Sequence, residues 1–277
     1  MRELSGRTAF ITGGASGIGL ELGRAFVAAG MKVMLADVET GALERAVASL
    51  REVTSDICGV ACDVADADSV ERAAQATFDA FGHVHVVCNN AGVAAGGGID
   101  NISLDNWRWV IDVNLMGVVH GIRTFLPHLR AHGEGGHIVN TASMAGMNGG
   151  LGFSPYTASK FAVVAMSEGL SMQVKPHGIG VSVLCPSFVR TAIGDSGRNR
   201  PARYGQPQPL DPASPAGQMV AEIARRLQAG LDPSDVAARV VSAIRNDELY
   251  IFTHPNMRDE VDVRFAAIQA AMDKVAG

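Results

Sequence analysis

The sequence predicts an α/β protein built on a doubly wound parallel sheet of about seven strands, with helices on both faces. Short apolar runs alternate with helical patterns along most of the 277 residues. The strand runs are almost continuously apolar, as in parallel strands that are buried on both faces. The length suits one large α/β unit, so we expect a single domain over 1–277.

The composition argues against several function classes. The net charge is −5, and no basic cluster indicates nucleic acid or an anionic membrane as a partner. The sequence shows neither an apolar signal core nor a run of about 18 apolar residues, which favours a cytoplasmic location. The eight histidines lack a ligand spacing, so we expect no metal. Four cysteines without CxxC spacing are interpreted as reduced core residues: Cys58, Cys62, Cys88 and Cys185.

The first strand, over 7–12, runs directly into a glycine turn and then into a helix that ends at Gly30. The turn reads Gly13-Gly14-Ala15-Ser16-Gly17-Ile18-Gly19. In this context the glycines let a backbone approach a pyrophosphate, whose charge the helix N-terminus stabilises. The spacing is G-x-x-x-G-x-G rather than G-x-G-x-x-G, so this motif alone is equally explained by a structural turn.

The second strand, over 31–36, ends at Asp37, where an acid is expected to bind the adenosine ribose. A helix-capping aspartate is the alternative, but Thr40 is better placed to cap the next helix. A 2′-phosphate close to this carboxylate would be repelled by ~4 kcal/mol per charge pair at an effective dielectric of ~20. Since no Arg or Lys follows Asp37, we expect NAD rather than NADP.

The alternation then continues, and polar turns follow the next two strands. The predicted elements are a helix over 40–53, a strand over 57–62, a helix over 67–81 and a strand over 84–88. Asp63-Val64 and Asn89-Asn90-Ala91-Gly92 follow the two strands. Ligands of open α/β sheets bind at the carboxyl ends of strands, which favours these loops as binding loops. Taken singly, Asp63 is equally a capping residue.

A long helical stretch over about 103–132 begins at Ser103 as its N-cap. Asn114 lies inside it among apolar neighbours. A buried amide of this kind is usually a satisfied core group, and alternatively holds a water beside an active-site lysine. The next strand, over 137–142, ends at Ser143.

Tyr156 and Lys160 are four residues apart and share one face of a helix that runs to about Lys175. A tyrosine titrates near pH ~10, and a nearby ammonium favours its ionised form. With Ser143 bonded to the same substrate oxygen, this set is suited to proton transfer. Taken alone, Tyr-x-x-x-Lys is also explained by a packed tyrosine and a solvated lysine.

In order and spacing these motifs resemble the short-chain dehydrogenase/reductase family over about residues 5–252. The resemblance rests on Thr12-Gly13-x-x-x-Gly17-x-Gly19, Asn89-Asn90-Ala91-Gly92, Asn114, Ser143, Tyr156-x-x-x-Lys160 and Pro186. It implies a Rossmann-like fold, a nicotinamide cofactor, hydride transfer, and a homodimer or homotetramer. Two residues depart from the family pattern, because Ser187 stands where relatives usually have Gly and His85 where they often have Asp.

The resemblance also implies residue roles. Tyr156 is the general acid/base, and Ser143 orients the substrate oxygen. Lys160 holds the nicotinamide ribose and lowers the tyrosine pKa, while Asn114 supports a water in the proton relay. Val189 and Thr191 are expected to meet the carboxamide. The implied cofactor-binding set is Gly13, Ser16, Gly17, Ile18, Gly19, Asp37, Val38, Asp63, Val64, Asn90, Ala91, Gly92, Tyr156, Lys160, Pro186, Val189 and Thr191.

Residues 192–217 break the alternation with a proline-rich stretch that contains Arg198, Arg200 and Arg203. So long a connection is expected to be a lid over the substrate, with a disordered linker as the alternative. The arginines are expected to be solvated, or else to pair with a substrate acid or a cofactor phosphate.

Helices over about 217–229 and 232–246 lead to a last strand over 249–252. A helical extension follows over about 255–275, with an apolar stripe that packs on its own or a partner subunit: Val261, Phe265, Ile268, Met272 and Val275. The segment Arg200-Pro201-Ala202-Arg203-Tyr204-Gly205 and this tail resemble bacterial dehydrogenases of benzylic alcohols in aryl ethers.

We therefore expect an oxidoreductase that transfers a hydride between NAD(H) and a secondary alcohol or ketone. Apolar residues flank the site and favour a lipophilic or aromatic substrate: Val93, Met144, Met147, Phe153 and Phe188. The alternatives are a carbonyl reductase of unrelated small substrates and an NAD(H)-binding regulatory scaffold without turnover. The intact Ser-Tyr-Lys set argues against the scaffold, which needs no proton relay.

Overall fold

The computed structural model describes residues 1–95, 99–100, 102–149, 154–206 and 211–275. Within them one sheet is formed by β1 (Thr8–Thr12), β2 (Lys32–Asp37), β3 (Ile57–Ala61), β4 (Val86–Asn89), β5 (Gly136–Thr141), β6 (Ile179–Cys185) and β7 (Tyr250–Phe252). The helices are α1 (Gly17–Ala28), α2 (Thr40–Arg51), α3 (Ala67–Phe81), α4 (Leu104–Ile111), α5 (Gly117–His132), α6 (Ser154–Val174), α7 (Pro215–Gln228), α8 (Pro233–Asn246) and α9 (Arg258–Asp273).

The strand order is β3-β2-β1-β4-β5-β6-β7, and every pair is parallel. The chain therefore passes from β3 to the far side of β1 before it forms β4. At such a reversal the loops after the two central strands diverge and open a crevice at the carboxyl edge. The predicted doubly wound parallel sheet is confirmed, and the crevice lies where the glycine turn meets the loop after β4.

Helices on both faces bury the sheet in two apolar cores. On one face, under α3, α5 and α6, Phe10 packs against Phe125 with ring centroids 4.5 Å apart. On the other face, under α1, α2 and α8, Ile11 packs with Leu22 and Phe26. Neighbouring residues of β1 thus serve opposite cores, which explains why the strand is apolar throughout.

Two local features differ from the sequence-based expectation. The predicted helix over 103–132 is α4 and α5 joined by a π-helical segment, Asp112–Met116. Ser103 does cap α4, since its hydroxyl accepts the backbone N–H of Asn106 at 3.2 Å. The predicted Thr40 cap is wrong: α2 begins at Thr40 itself and Glu39 holds the N-cap position. The Leu43 N–H donates to the Glu39 carbonyl at 2.9 Å, so the helix already includes Thr40.

A histidine cluster lies at the amino-terminal edge of the sheet and explains the unusual His85. Its buried ring accepts the Thr8 N–H through Nδ1 at 3.1 Å and contacts Glu134 through Nε2. Ligand atoms of His83, His132 and Glu134 lie within 4.8 Å of one another. Both nitrogens of His132 are already bonded, to the Val84 carbonyl and the Glu134 N–H. We interpret the cluster as a structural link between α5 and the sheet.

The C-terminal helix α9 is mostly exposed. Met257 and Val261 pack against the core, whereas Phe265, Ile268 and Met272 of the predicted stripe remain at the surface. All four cysteines are free thiols. Among the helices of the described ranges, none combines the length and apolar character that a membrane crossing requires.

Candidate active site

A cleft of about 530 Å³ follows the carboxyl ends of the strands. All predicted site residues line it except Gly19 and Asn114: Gly13, Ser16, Gly17, Ile18, Asp37, Val38, Asp63, Val64, Asn90, Ala91, Gly92, Ser143, Tyr156, Lys160, Pro186, Val189 and Thr191. These residues come from loops after six different strands, and the parallel sheet brings them together at one edge.

The glycine turn is shaped by its backbone angles and by close contacts. Gly13 and Gly17 have φ values of 66° and 52°, in the left-handed region that glycine adopts without strain. A Cβ on Gly19 would lie 2.0 Å from the Gly13 carbonyl oxygen. Gly19 therefore lets α1 pack against the turn, which explains why it stands behind the cleft wall.

Thr12 fixes the turn to the loop after β4, a role that the sequence analysis did not assign. Its hydroxyl accepts the backbone N–H groups of Asn90 and Ala91 at 2.9 and 3.1 Å. The Asn90 side chain donates to the Thr12 carbonyl at 3.0 Å. These bonds set the two sides of the crevice at a fixed distance.

Asp37 links the first two loops at one end of the cleft. One carboxylate oxygen accepts the Ala15 N–H at 2.9 Å, and the other accepts the Glu39 N–H. The residue is only 8% exposed, but it lines the cleft. Each carboxylate oxygen has a second lone pair, so both oxygens can still accept a ribose hydroxyl.

Ser143, Tyr156 and Lys160 converge at the other end of the cleft. Ser143 follows β5, and its hydroxyl donates to the Pro186 carbonyl at 3.2 Å and bonds with Tyr156. Tyr156 and Lys160 lie one turn apart on α6, with Lys160 Nζ 5.5 Å from the centroid of the tyrosine ring. Lys160 Nζ also donates to the Thr141 carbonyl at 2.8 Å, which holds the ammonium beneath the ring.

Burial dominates the protonation of this group. It raises the pKa of Tyr156, and the hydrogen bond from Ser143 acts in the opposite direction. Burial also lowers the pKa of Lys160 to about 8. This direction differs from the expectation that Lys160 lowers the tyrosine pKa: among the protein's own groups the loss of hydration dominates, and the opposing contribution comes from the bond with Ser143.

Lys160→Met is expected to stabilise the protein at pH 7. The folded pKa of about 8 lies below the ordinary lysine pKa of 10.5, so the cost of burying the charge is fully present below pH 8 and fades as pH rises toward 10.5. The pKa shift means that the buried charge destabilises the folded protein by about 3 kcal/mol. The variant removes this cost but also loses the hydrogen bond to Thr141, which contributes about 1 kcal/mol of stability. The melting temperature should therefore rise by roughly 4–8 °C at pH 7 and by less at pH 9.5.

Thermal unfolding of the variant and the wild type at the two pH values measures this difference. Lys175→Met is the matched control, because Lys175 is exposed beyond the end of the same helix and should shift the melting temperature little. A Lys160→Met protein that is less stable than the wild type at pH 7 would contradict the account.

Asn114 is completely buried in the π-helical segment. Its amide pairs with the backbone of Val93, accepting the N–H at 2.8 Å and donating to the carbonyl at 2.9 Å. It also donates to the Ser159 hydroxyl at 3.3 Å. The structure thus shows a satisfied amide that anchors the loop after β4 next to the lysine.

The substrate end has mainly apolar walls. Of the predicted flanking residues, Val93, Met144 and Phe188 line the cleft, Met147 packs in the core behind it, and Phe153 lies outside the described residues. Further apolar lining comes from Trp109, Ile193, Val220, Ile223, Leu227 and Met257. Three of these residues lie on α7, which turns one apolar face to the cleft: Val220, Ile223 and Leu227.

The turn after β6 and the described part of the predicted lid complete the site. The Ser187 N–H donates to His254 Nδ1 at 3.4 Å, so the residue that departs from the family pattern contacts the chain beyond β7. Residues 192–206 form short 3-10 helices, Ala192–Asn199 and Ala202–Tyr204, that pass over the cleft. Their three arginines are paired within the protein, although Arg198 and Arg203 also remain exposed to solvent: Arg198 with Glu39, Arg203 with Asp63, and Arg200 with Asn106.

The geometry agrees with comparisons to known proteins. A family model described as short chain dehydrogenase matches residues 7–201. The C alpha-dehydrogenase of Sphingobium sp. strain SYK-6 is 35% identical over 277 residues, which cover 100% of this chain and 88% of that protein. The 1-deoxy-11-beta-hydroxypentalenate dehydrogenase of Streptomyces exfoliatus is 35% identical over 266 residues, 94% of this chain and 89% of that one.

One solved structure is similar over nearly its whole length. A short chain dehydrogenase/reductase from Burkholderia phymatum, in complex with NAD, matches with a TM-score of 0.94 and 39% identity. The match covers 98% of this chain and 97% of that chain.

Proposed function

The chain belongs to the short-chain dehydrogenase family, and from that premise we propose that it interconverts a lipophilic or aromatic secondary alcohol and its ketone. It is an NAD-dependent oxidoreductase. The observation that carries the proposal is the convergence of Ser143, Tyr156 and Lys160 at one end of a single cleft, with Asp37 and the glycine turn at the other end. This arrangement supports a proton-transfer group beside a dinucleotide.

The residues present fit NAD. A Cβ on Gly13 would lie 2.9 Å from the Ala91 Cα, so the glycine lets the turn pack against the loop after β4. Gly13 and Gly17 both line the cleft, where a pyrophosphate can approach their backbone. The first turn of α1 follows directly, and its free N–H groups favour an anion. Asp37 supplies the acceptor for the ribose hydroxyls at the far end.

When bound, NAD supplies the acceptor for the hydride that leaves the carbinol carbon. Tyr156 as the phenolate would accept the hydroxyl proton as that hydride departs, and in the reverse direction Tyr156 as the phenol would return it to the ketone oxygen. Ser143 holds this oxygen beside the phenol through a hydrogen bond. Lys160, held by Thr141, keeps a positive charge beneath the ring and stabilises the phenolate. Because the same residues act in both directions, we propose that the protein also reduces the ketone to the alcohol.

The apolar walls support the lipophilic substrate. Trp109, Phe188 and Ile223 line the cleft together with Met144, and burial of a benzene ring against such walls contributes about 2 kcal/mol. That free energy corresponds to a roughly thirtyfold higher kcat/KM for a substrate that carries the ring. Glu260, held by Asn148 at 2.9 Å, adds a carboxylate that disfavours anionic substrates.

Secondary alcohols with an aryl or other bulky apolar group are therefore expected to exceed small hydroxy acids at least tenfold in kcat/KM. NAD reduction is measured with purified protein against aryl-ether alcohols, terpenols, steroids and hydroxyacyl thioesters. Matched pairs of alcohols that differ only by a carboxylate in place of the ring provide the control. Activity confined to small charged hydroxy acids would refute the substrate class, whereas NADH binding without any turnover would favour the regulatory scaffold.

A further inference from the structure

The segment of residues 192–206 reaches across the cleft and contacts the loops that follow β2 and β3. Arg198 forms a two-pronged ion pair with Glu39, with Nη2 to Oε1 at 2.8 Å and Nε to Oε2 at 3.3 Å. Asn199 donates to the same carboxylate at 2.8 Å. Five residues further on, Arg203 pairs with Asp63 at 2.7 Å. Two ion pairs thus join this segment to neighbouring loops on the opposite rim.

The same segment is anchored on the other half of the cleft by different contacts. The Tyr204 hydroxyl donates to Asp112 at 2.8 Å, and its buried ring packs with Val93 and Trp109. Ser196 accepts the Ala94 N–H at 3.1 Å. These uncharged or buried contacts hold the segment of residues 192–206 on one side of the cleft. The exposed ion pairs on the other side are therefore the contacts of this segment that break most readily.

The ion pairs stand over the adenosine end. Glu39 lies two residues after Asp37, and all four charged partners line the cleft. The Arg198 bonds lower the pKa of Glu39, and the Asp63 bond raises the pKa of Arg203, so Glu39 and Arg203 keep their charges at neutral pH. A dinucleotide that enters or leaves this end has to pass beneath them.

We propose that Glu39, Asp63, Arg198, Asn199 and Arg203 form a latch that closes over the adenosine half of NAD(H) and slows its release. This inference rests on the proposed function of the cleft. Each pair is partly exposed, with side-chain exposures of 32% and 29% for Arg198 and Glu39 and of 49% and 28% for Arg203 and Asp63. Pairs of this kind are weak singly, as a latch that opens in every catalytic cycle requires.

Direct binding of Arg198 to a cofactor phosphate is the main competing interpretation, and the hydrogen bonds of Arg198 argue against it. Its Nη1 donates to the carbonyls of Ala192 and Asp195 at 3.0 and 2.7 Å, while Nε and Nη2 serve Glu39. Four of the five guanidinium N–H bonds are therefore in use. Arg198 therefore stabilises the turn that contains it and links that turn to the loop after β2.

The test is the dissociation rate of NADH, followed by the change in its fluorescence after rapid mixing with excess NAD. Arg198→Gln and Arg203→Gln are each expected to raise this rate up to about fivefold, and the double variant about tenfold or more. Added salt should speed release from the wild type and have little effect on the double variant, because screening acts on the ion pairs. Arg7→Gln is the control, since Arg7 pairs with Glu134 at 2.5 Å at the opposite edge of the sheet with similar exposure.

A charge exchange separates the latch from a phosphate contact. Glu39→Arg combined with Arg198→Glu restores the ion pair in reverse and is expected to return the dissociation rate to within about twofold of the wild type. A double Gln variant that releases NADH at the wild-type rate with the same salt dependence would overturn the proposal. Rapid release from the exchanged pair would overturn it too. Failure of the wild type to bind NADH would instead contradict the proposed function itself.

Discussion

Tyr156→Phe is expected to lower kcat by about a thousandfold while leaving NADH binding within about twofold. The change removes one hydroxyl and keeps the ring, whose centroid lies 5.5 Å from Lys160 Nζ. Without the hydroxyl, neither the alcohol proton nor the ketone oxygen has a partner that can exchange a proton. The cofactor contacts at the glycine turn and Asp37 are untouched by the change, so the affinity for NADH should persist.

The measurement combines steady-state turnover with NADH titration by fluorescence. Tyr250→Phe is the matched control, because its hydroxyl bonds to Glu168 at 2.6 Å and Tyr250 is absent from the cleft lining. The control should retain wild-type kcat. If Tyr156→Phe keeps more than about a tenth of the wild-type kcat, another group transfers the proton and the mechanism is wrong.

Asp37→Asn is expected to reduce the preference for NAD over NADP at least tenfold. The substitution keeps one oxygen for the Ala15 or Glu39 N–H but removes the charge that we propose binds the ribose hydroxyls and repels a 2′-phosphate. Arg198 lies nearby, but its charge is compensated by Glu39 and does not favour a phosphate in the wild type. We therefore expect kcat/KM to fall for NAD and to rise or stay constant for NADP.

Parallel kinetics with the two nucleotides give this ratio directly. Asp79→Asn is the control, because Asp79 is an exposed acid on α3 that bonds only to Gln75 among the described contacts. An unchanged NAD/NADP ratio in Asp37→Asn would show that the preference is set by other groups, with Glu39 as the next carboxylate to test.

Local patterns predicted the fold well because most of its elements are encoded by neighbouring residues. The helix over 67–81 is α3 with the same bounds, and the strand over 57–62 is β3, which ends one residue earlier. The glycine turn was visible because its backbone angles demand glycine. Parallel topology then brings the loops to one edge, so residues that line the cleft could be chosen before any contact was known.

The features that the sequence did not indicate depend on contacts between distant residues or on the residue at which a helix makes its first hydrogen bond. Arg198 and Glu39 are separated by 159 positions, and no periodic pattern links them. The amide of Asn114 in the π-helical segment pairs with Val93, a tertiary contact 21 positions away that no local pattern indicates. Thr40 had a suitable side chain for a cap, but the Leu43 N–H already donates to the Glu39 carbonyl, so Thr40 lies inside the helix.

The central claim is hydride transfer between a carbinol carbon and NAD with Tyr156 moving the proton. Its most direct test uses the alcohol that performs best in the substrate comparison, deuterated at the carbinol carbon, with NAD and the purified protein. Mass spectrometry of the recovered nucleotide should show one deuterium for each alcohol molecule that the wild type oxidises. The Tyr156→Phe variant should form almost no labelled nucleotide in the same time. Alcohol consumption with unlabelled NADH, or equal labelling by the Tyr156→Phe variant, would contradict the account.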